Sequence, residues 1–418
     1  RVTLDNGLRV VVDHRQRLPI ASVCLHYDVG FRSEEPNQAG FAHLFEHLMF
    51  QGGDDPGGDH VWQVQAAGGV ANASTAWDFT EFYQAAPDWA LERMLYLESE
   101  RMRAPSLTER DLANQVRVVK EEIRQNVANR PYGGFPWTTL PGLLYRSFGN
   151  AHNGYGDFES LDSVTLPDCH AFFRRHYAPG NAVLTLSGPT PPARAVELVE
   201  RYFADIPARP VPSRPVLDEE PAVTERHGWH SDPHAPLPAL AIGYRLPDPA
   251  VARADYLAHV VLAALLTAPE EGRLRQRLVA ERGLAADLRA TCGFFGPLQT
   301  RDPDTFVIVA THPAGVTGDE ILAAIDAELA AVAEQGFGDA QVRRAAARVA
   351  AGICRAQDAP LPRARRIGAF ELLFGEAELV DELPDRIREV SAGQVGLAAK
   401  TLQRGARAVL QLTPGGQR

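Results

Sequence analysis

The sequence predicts an α+β protein of two duplicated domains, each a mostly antiparallel sheet covered by helices, joined by an extended linker. Three observations carry this prediction. At 418 residues the chain exceeds one ordinary core, so two domains of about 200 residues are expected. Strand-like alternation and helix-like periodicity are interleaved along its whole length. One helix-then-strand passage also occurs twice. Leu161-Asp162-Ser163-Val164 leads through a helical stretch to Ala182-Val183-Leu184-Thr185-Leu186-Ser187, and Ile387-Arg388-Glu389-Val390 leads to Ala408-Val409-Leu410-Gln411-Leu412-Thr413. Val164 and Val390 are 226 positions apart, as are Val183 and Val409, so helix and strand recur in register.

The chain opens as a hairpin, with Val2-Thr3-Leu4, a turn at Asp5-Asn6-Gly7 and a strand from Leu8 to Val12. A second apolar strand is expected near Ile20 to Val29 and a helix near Ala39 to Phe50. Gly68-Gly69 then breaks the chain ahead of two alternating stretches, Val70 to Ala76 and Phe79 to Ala85. Pro87 starts a helix reaching about Met102. Ser106-x-x-Glu109 reads as a capping box opening a long helix to about Asn129. The first domain is expected over 1–206. The linker is expected over 207–228, where Pro210, Pro212, Pro215 and Pro221 favour extended chain.

The second domain, 229–418, resumes with a strand near Ala239 to Leu246. Helices are expected near Ala250 to Leu266 and Glu270 to Glu281, with strands near Leu284 to Cys292 and Thr305 to Thr311. Thr317-x-x-Glu320 caps the helix that follows.

A net charge of −11 with both signs interspersed argues against nucleic acid and anionic membrane surfaces as partners. No run approaches 18 uncharged apolar residues, so no membrane span is expected. Cys24, Cys169, Cys292 and Cys354 are far apart without metal-ligand spacing, and buried free thiols are expected. The chain starts at Arg1 and passes directly into a strand pattern, an opening consistent with a longer precursor.

The chemistry lies in His43-Leu44-Phe45-Glu46-His47. On a helix turning about 100° per residue, with His43 at 0°, Glu46 falls near 300° and His47 near 40°. Phe41, Leu44, Phe45, Leu48 and Met49 fall on the opposite side, so one helix shows a metal face and a core face. Neutral imidazoles suit zinc, and a carboxylate beside them can take a proton from a water on the metal. Two helical His leave a catalytic zinc short of one protein ligand. On the helix predicted from Ser106, Glu122 flanks the buried stripe of Val116, Val119, Ile123 and Val127, whereas Glu121 points away. Glu122 is the better candidate.

His43, Glu46 and His47, followed after 74 residues by Glu122 within Val118-Val119-Lys120-Glu121-Glu122-Ile123, resemble the pitrilysin family of inverzincin peptidases, which includes insulin-degrading enzyme and the mitochondrial processing peptidase. Gly68-Gly69-Val70-Ala71-Asn72-Ala73-Ser74-Thr75 with Asp78, Thr80 and Tyr83, and Asn181-Ala182-Val183-Leu184 ahead of Gly188, extend the likeness. It covers both halves. It implies zinc-dependent peptide hydrolysis, with one Zn2+ held by His43, His47 and Glu122 and with Glu46 as general base. It also implies that an edge strand over Val70, Ala71, Asn72, Ala73 and Ser74 pairs with the substrate backbone.

Two positions depart from the family pattern. Gln115 stands where members often carry a Glu that supports the site; it shares the face of Glu122 but brings no charge. Active members usually supply an Arg and a Tyr from the second half, and Val279 and Ala286 occupy those places. The resemblance therefore implies the zinc subunit of a heterodimer whose zinc-less paralogous partner contributes the Arg and Tyr. A homodimer and a non-catalytic assembly subunit with structural zinc are the alternatives. Chain length and the Ala, Arg and Pro bias point to a bacterial protein, the periplasm being favoured over the cytoplasm.

Overall fold

A computed structural model of the chain describes residues 1–51, 60–103, 107–220, 224–402 and 404–415. It holds eleven strands among these residues: β1 (Val2–Thr3), β2 (Arg9–His14), β3 (Ile20–Tyr27), β4 (Val70–Thr75), β5 (Thr80–Pro87), β6 (Ala182–Gly188), β7 (Arg226–Asp232), β8 (Ala239–Arg245), β9 (Asp287–Cys292), β10 (Thr305–Thr311) and β11 (Arg407–Pro414). They form two sheets, ordered β1-β2-β6-β3-β5-β4 and β7-β11-β8-β10-β9.

The duplication predicted from the 226-residue repeat is visible in this topology. Without β1, the first sheet runs β2-β6-β3-β5-β4 and the second repeats that order strand for strand. In each, the first pair is parallel (β2 with β6, β7 with β11) and every other pair antiparallel. The repeated passages become the Leu166–His176 helix with β6 and the Ala392–Thr401 helix with β11. The α+β reading of two helix-covered, mostly antiparallel sheets holds.

The compact units are interleaved rather than consecutive. One comprises Arg1–Glu121, Gly154–Pro215 and Cys354–Asp381; the other comprises Glu122–Asn153, Val216–Ile353 and Glu382–Arg418. This departs from a division into 1–206 and 229–418, and the reason is which apolar residues cover which sheet. Phe135, Leu140, Leu144 and Tyr145 bury themselves in a cluster with Ala239, Ala241, Val307, Val309, Leu410 and Leu412 of the second sheet, and the Tyr145 hydroxyl bonds Thr305 at 2.7 Å. In the other direction, the Pro360–Phe374 helix lies on β3 and β6 with Ala364, Ile367 and Phe370 buried. Gly368 permits the approach, because a Cβ there would stand 2.4 Å from Nδ1 of buried His26. Residues 207–220 carry no helix or strand, but β7 begins at Arg226, inside the span expected as linker; Pro221 lies outside the described residues.

Two arginines of that helix pair with carboxylates of the first sheet. Arg363 reaches Asp13 at 3.0 Å and Arg365 Nε reaches Glu81 at 3.1 Å. Burial pushes the Asp13 carboxyl up, but hydrogen bonds from Arg363 and Ser187 outweigh it and hold the group below its usual value. In Glu81 burial is likewise outweighed, by His26 and Arg365. A carboxyl depressed in the folded state contributes stability above its unfolded value and loses it as pH falls through the folded one. The helix is therefore expected to stay seated at neutral pH and to loosen below about pH 4. Hydrogen-exchange protection over 360–374, compared with the strands at pH 7 and pH 3, checks this; equal protection at both would contradict it.

Local differences from the sequence reading have local causes. The capping box ahead of the long helix is Thr108 with Asp111, where Thr108 Oγ1 accepts from Asp111 N at 3.2 Å and the Asp111 carboxylate accepts from Thr108 N at 3.1 Å. Ser106 lies outside the described residues. The helix is regular over Glu109–Ile123 and continues as a π-turn over Arg124–Ala128, short of the continuous helix expected to Asn129. Likewise, the helix expected over Glu270 to Glu281 is largely a π-turn, Arg275–Glu281. All four cysteines are free thiols, but only Cys24, Cys169 and Cys292 are buried, and Cys354 is exposed. Among the described residues no helix is long and apolar enough to cross a membrane.

Candidate metal centre and peptide-binding edge

The motif helix runs over Phe41–Leu48. Phe41, Leu44, Phe45 and Leu48 are buried, and Phe41 and Phe45 pack on Phe172 with ring centroids 4.8 and 5.1 Å apart. The apolar arc read from the sequence is thus the face that docks the helix. Its first turn has no side-chain cap, because the N-cap is Gly40 at φ +86°. The buried Glu34 carboxylate serves instead, accepting from Gly40 N at 2.9 Å and Ala42 N at 2.7 Å. An anion at that end also suits the helix dipole. A Cβ on Gly40 would meet the Tyr155 carbonyl oxygen at 2.5 Å, so glycine is required by both conformation and space.

His43 and His47 stand one turn apart with ring centroids 4.9 Å from each other and nearly perpendicular planes. Tyr155 packs against His43 at 4.9 Å, leaving His43 buried and His47 half-buried. The Glu109–Ile123 helix brings Glu122 to them, and one ligand atom from each of His43, His47 and Glu122 lies within 4.8 Å of the others. The division between compact units falls after Glu121, inside this single helix and immediately ahead of Glu122. Lys120 on its last turn pairs with Asp162 and lies 5.3 Å from the Phe158 ring centroid. Leu112, Gln115 and Val119 form the buried stripe; Glu122 is half-buried beside it and Glu121 is exposed. Two imidazoles and one carboxylate converging in this way are the donor set that a catalytic zinc accepts. No second group of this kind occurs among the described residues.

Glu46 lies between the two histidines in sequence and is half-buried. Thr75 Oγ1 donates to Glu46 Oε2 at 2.6 Å. Thr75 is the last residue of β4, which, among the described residues, ends its sheet with β5 as its one neighbour. The outer edge of β4 therefore offers backbone N–H and C=O groups for another strand. Val70 and Asn72 are exposed, Ala71 and Ser74 half-buried, and Ala73 buried. The far end of the β4–β5 hairpin is anchored: Phe31 N and Arg32 N donate to the Ala76 and Trp77 carbonyls, and Arg32 pairs with Asp78 at 3.0 Å in near-complete burial. A rigid open edge thus begins one hydrogen bond away from Glu46.

A family model described as insulinase (peptidase family M16) matches residues 9–132, and one described as peptidase M16 inactive domain matches residues 163–349. The chain belongs to this family, the pitrilysin family. The zinc protease PqqE of Helicobacter pylori is 29% identical over 352 residues, covering 80% of this chain and 73% of that protein. An uncharacterized zinc protease of Mycobacterium leprae is 27% identical over 413 residues, covering 96% of this chain and 88% of that one. A crystal structure of a protease from Helicobacter pylori superposes with TM-score 0.89 at 23% identity, over 99% of this chain and 98% of that one. Shared ancestry with zinc proteases supports a peptidase-type enzyme.

Val279 lies half-buried in the π-turn Arg275–Glu281, and Ala286 is exposed just ahead of β9. Neither side chain carries a hydrogen-bond donor. Glu34, Thr75 and Tyr155 escaped the sequence reading as site residues. Thr75 carried a signal, since it ends the quoted Gly68 to Thr75 stretch two positions after buried Ala73. Glu34 and Tyr155 carried none, because folding alone brings Glu34 to the Gly40 and Ala42 amides and Tyr155 to the His43 ring.

Proposed function

We propose that the chain is a zinc-dependent endopeptidase of unfolded peptides and the zinc-bearing subunit of a heterodimer that encloses its substrates in a chamber. The observation that carries the first part is the convergence of His43, His47 and Glu122 within 4.8 Å beside Glu46. These three residues would hold one Zn2+, with Gln115, buried on the same helical face as Glu122, supporting the site. When bound, the metal supplies Lewis acidity, lowering the pKa of a water to about 7 and polarising the scissile carbonyl.

The chain's own residues supply the rest. The extended substrate pairs with β4 through Val70, Ala71, Asn72, Ala73 and Ser74, so main-chain hydrogen bonds recognise any unfolded segment. Glu46 takes a proton from the attacking water and returns it to the leaving amine. Thr75 Oγ1 donates to Oε2 of that carboxylate and so positions it. This is support for catalysis over a purely structural metal, which needs ligands but no base. The heterodimer rests on Val279 and Ala286, where the resemblance calls for an Arg and a Tyr. A periplasmic location goes with this reading of a scavenging peptidase.

The expected result is one zinc per chain by elemental analysis, with hydrolysis of an internally quenched peptide lost on chelation and regained with Zn2+. His43→Ala should lower zinc content and hydrolysis together. Hydrolysis that survives complete chelation would end the reading.

A further inference from the structure

We propose that Arg365 forms a subsite beside β4 that selects an acidic side chain in the bound peptide. The inference rests on the proposed pairing of substrate with β4 and adds the chemistry of one substrate position. Successive β4 residues point to opposite sheet faces. Ala73 and Thr75 face the motif helix, as the bond from Thr75 to Glu46 shows. Asn72 and Ser74 face the other way and stand opposite Tyr83 and Glu81 of β5. A peptide extending the sheet at β4 must direct alternate side chains onto this second face, beside Asn72 and Ser74.

On that face lies Arg365 of the Pro360–Phe374 helix. Its guanidinium sits 3.8 Å from the Tyr83 ring centroid, and Nη2 ends 3.5 Å from Ser74 Oγ. Of the contacts of Arg365, the pair with buried Glu81 is the one that anchors the helix. Stacking on Tyr83 and reaching Ser74 carry the charge beyond that pair to the open edge, where 36% of the side chain is still exposed. Nε and Nη2 serve Glu81, and among the described residues Nη1 makes no hydrogen bond. Glu81 is held in turn by His26, whose Nε2 is 3.0 Å away. The guanidinium is thus held by an ion pair and stacked on a ring, and Nη1 lies outside the pair with Glu81. A carboxylate is the group that a planar, pre-positioned guanidinium binds best. The neighbours on this face, Asn72, Ser74 and Tyr83, add polar contacts, and the one negative charge beside them, Glu81, is shared between Arg365 and His26.

The test uses the chain with any subunit that co-purifies, in a Glu46→Gln background so that bound peptide is not consumed. Acetylated, amidated peptides that differ only by Glu or Gln at one position are scanned along the sequence by fluorescence anisotropy. In one register the Glu peptide should bind roughly tenfold tighter, as expected for a hydrogen bond to a charged group. Arg365→Gln should bring that ratio to about one, and Arg365→Lys should keep part of it. If Arg365→Gln does not fold, Tyr83→Leu removes the supporting ring while leaving Glu81 paired, and the ratio should fall there too. Equal binding of Glu and Gln peptides in every register, or a preference unchanged in these variants, overturns the proposal. Because binding needs no chemistry, a parent protein that binds acidic peptides but hydrolyses none would count against the peptidase reading alone.

Discussion

Replacing Glu46 with Gln is expected to leave zinc bound and to reduce peptide hydrolysis by roughly 10² to 10⁴-fold, the contribution of a positioned general base. The substitution keeps the size of the side chain and its ability to accept from Thr75 Oγ1, so the motif helix and the β4 edge should be undisturbed. What it removes is the capacity to take a proton. The ligand set of His43, His47 and Glu122 is untouched, and zinc content should stay at one per chain. Peptide affinity should also persist, since the proposed pairing with β4 uses backbone groups that the substitution leaves unchanged. The expected pattern is a fall in kcat with little change in KM, the signature of a lost transition-state contribution. A Glu46→Gln protein that hydrolyses peptide at the parental rate would exclude this base and favour a scaffold subunit whose metal is structural. Loss of zinc along with activity would instead show that the residue maintains the site.

How much of this site was legible in the sequence follows from how local each interaction is. His43, Glu46 and His47 lie within two turns of one helix, so their common arc is a consequence of the helical period. Glu122 could be separated from Glu121 by the same geometry, because it flanks the apolar stripe of Val116, Val119, Ile123 and Val127; in the structure the fully buried face runs through Leu112, Gln115 and Val119, and Val116, Ile123 and Val127 are half-buried. The duplication was legible because Val164 with Val390 and Val183 with Val409 preserve their spacing. The interleaving of the compact units was not. It depends on Leu140 and Leu144 covering one sheet and Ala364 and Ile367 covering the other, a choice that apolar periodicity alone does not make. The capping box was misplaced by two residues because Ser106 and Thr108 both fit the first position, and Asp111 decided between them. Arg365 stands near Ser74 only through the seating of a helix almost three hundred positions later in the chain.

The chain without a partner is expected to bind zinc but to hydrolyse peptides slowly, and a paralogous subunit carrying an Arg and a Tyr is expected to restore the rate. Hydrolysis of a peptide builds negative charge on the carbonyl oxygen, and removing a single donor aimed at such an oxyanion costs on the order of 10² to 10³-fold. Val279 and Ala286 offer no side-chain donor where the family resemblance expects two. Arg282 is close in sequence, but it is exposed beyond the end of the Arg275–Glu281 π-turn and out of register with the missing Arg. A half-site of this kind has a diagnostic pattern of complementation. Glu46→Gln in this chain should silence the mixed complex, whereas a zinc-motif change in the partner should leave it active. Replacing the partner's Arg or Tyr should silence it as well, with zinc still bound to this chain. Measuring zinc content and quenched-peptide hydrolysis for the lone chain, the partner and the mixture separates the cases. A lone chain that turns over as fast as the mixture would show that the donors come from within it or from a second copy, and the heterodimer would have to be abandoned. Activity only in the mixture would make the pair, rather than either chain, the enzyme.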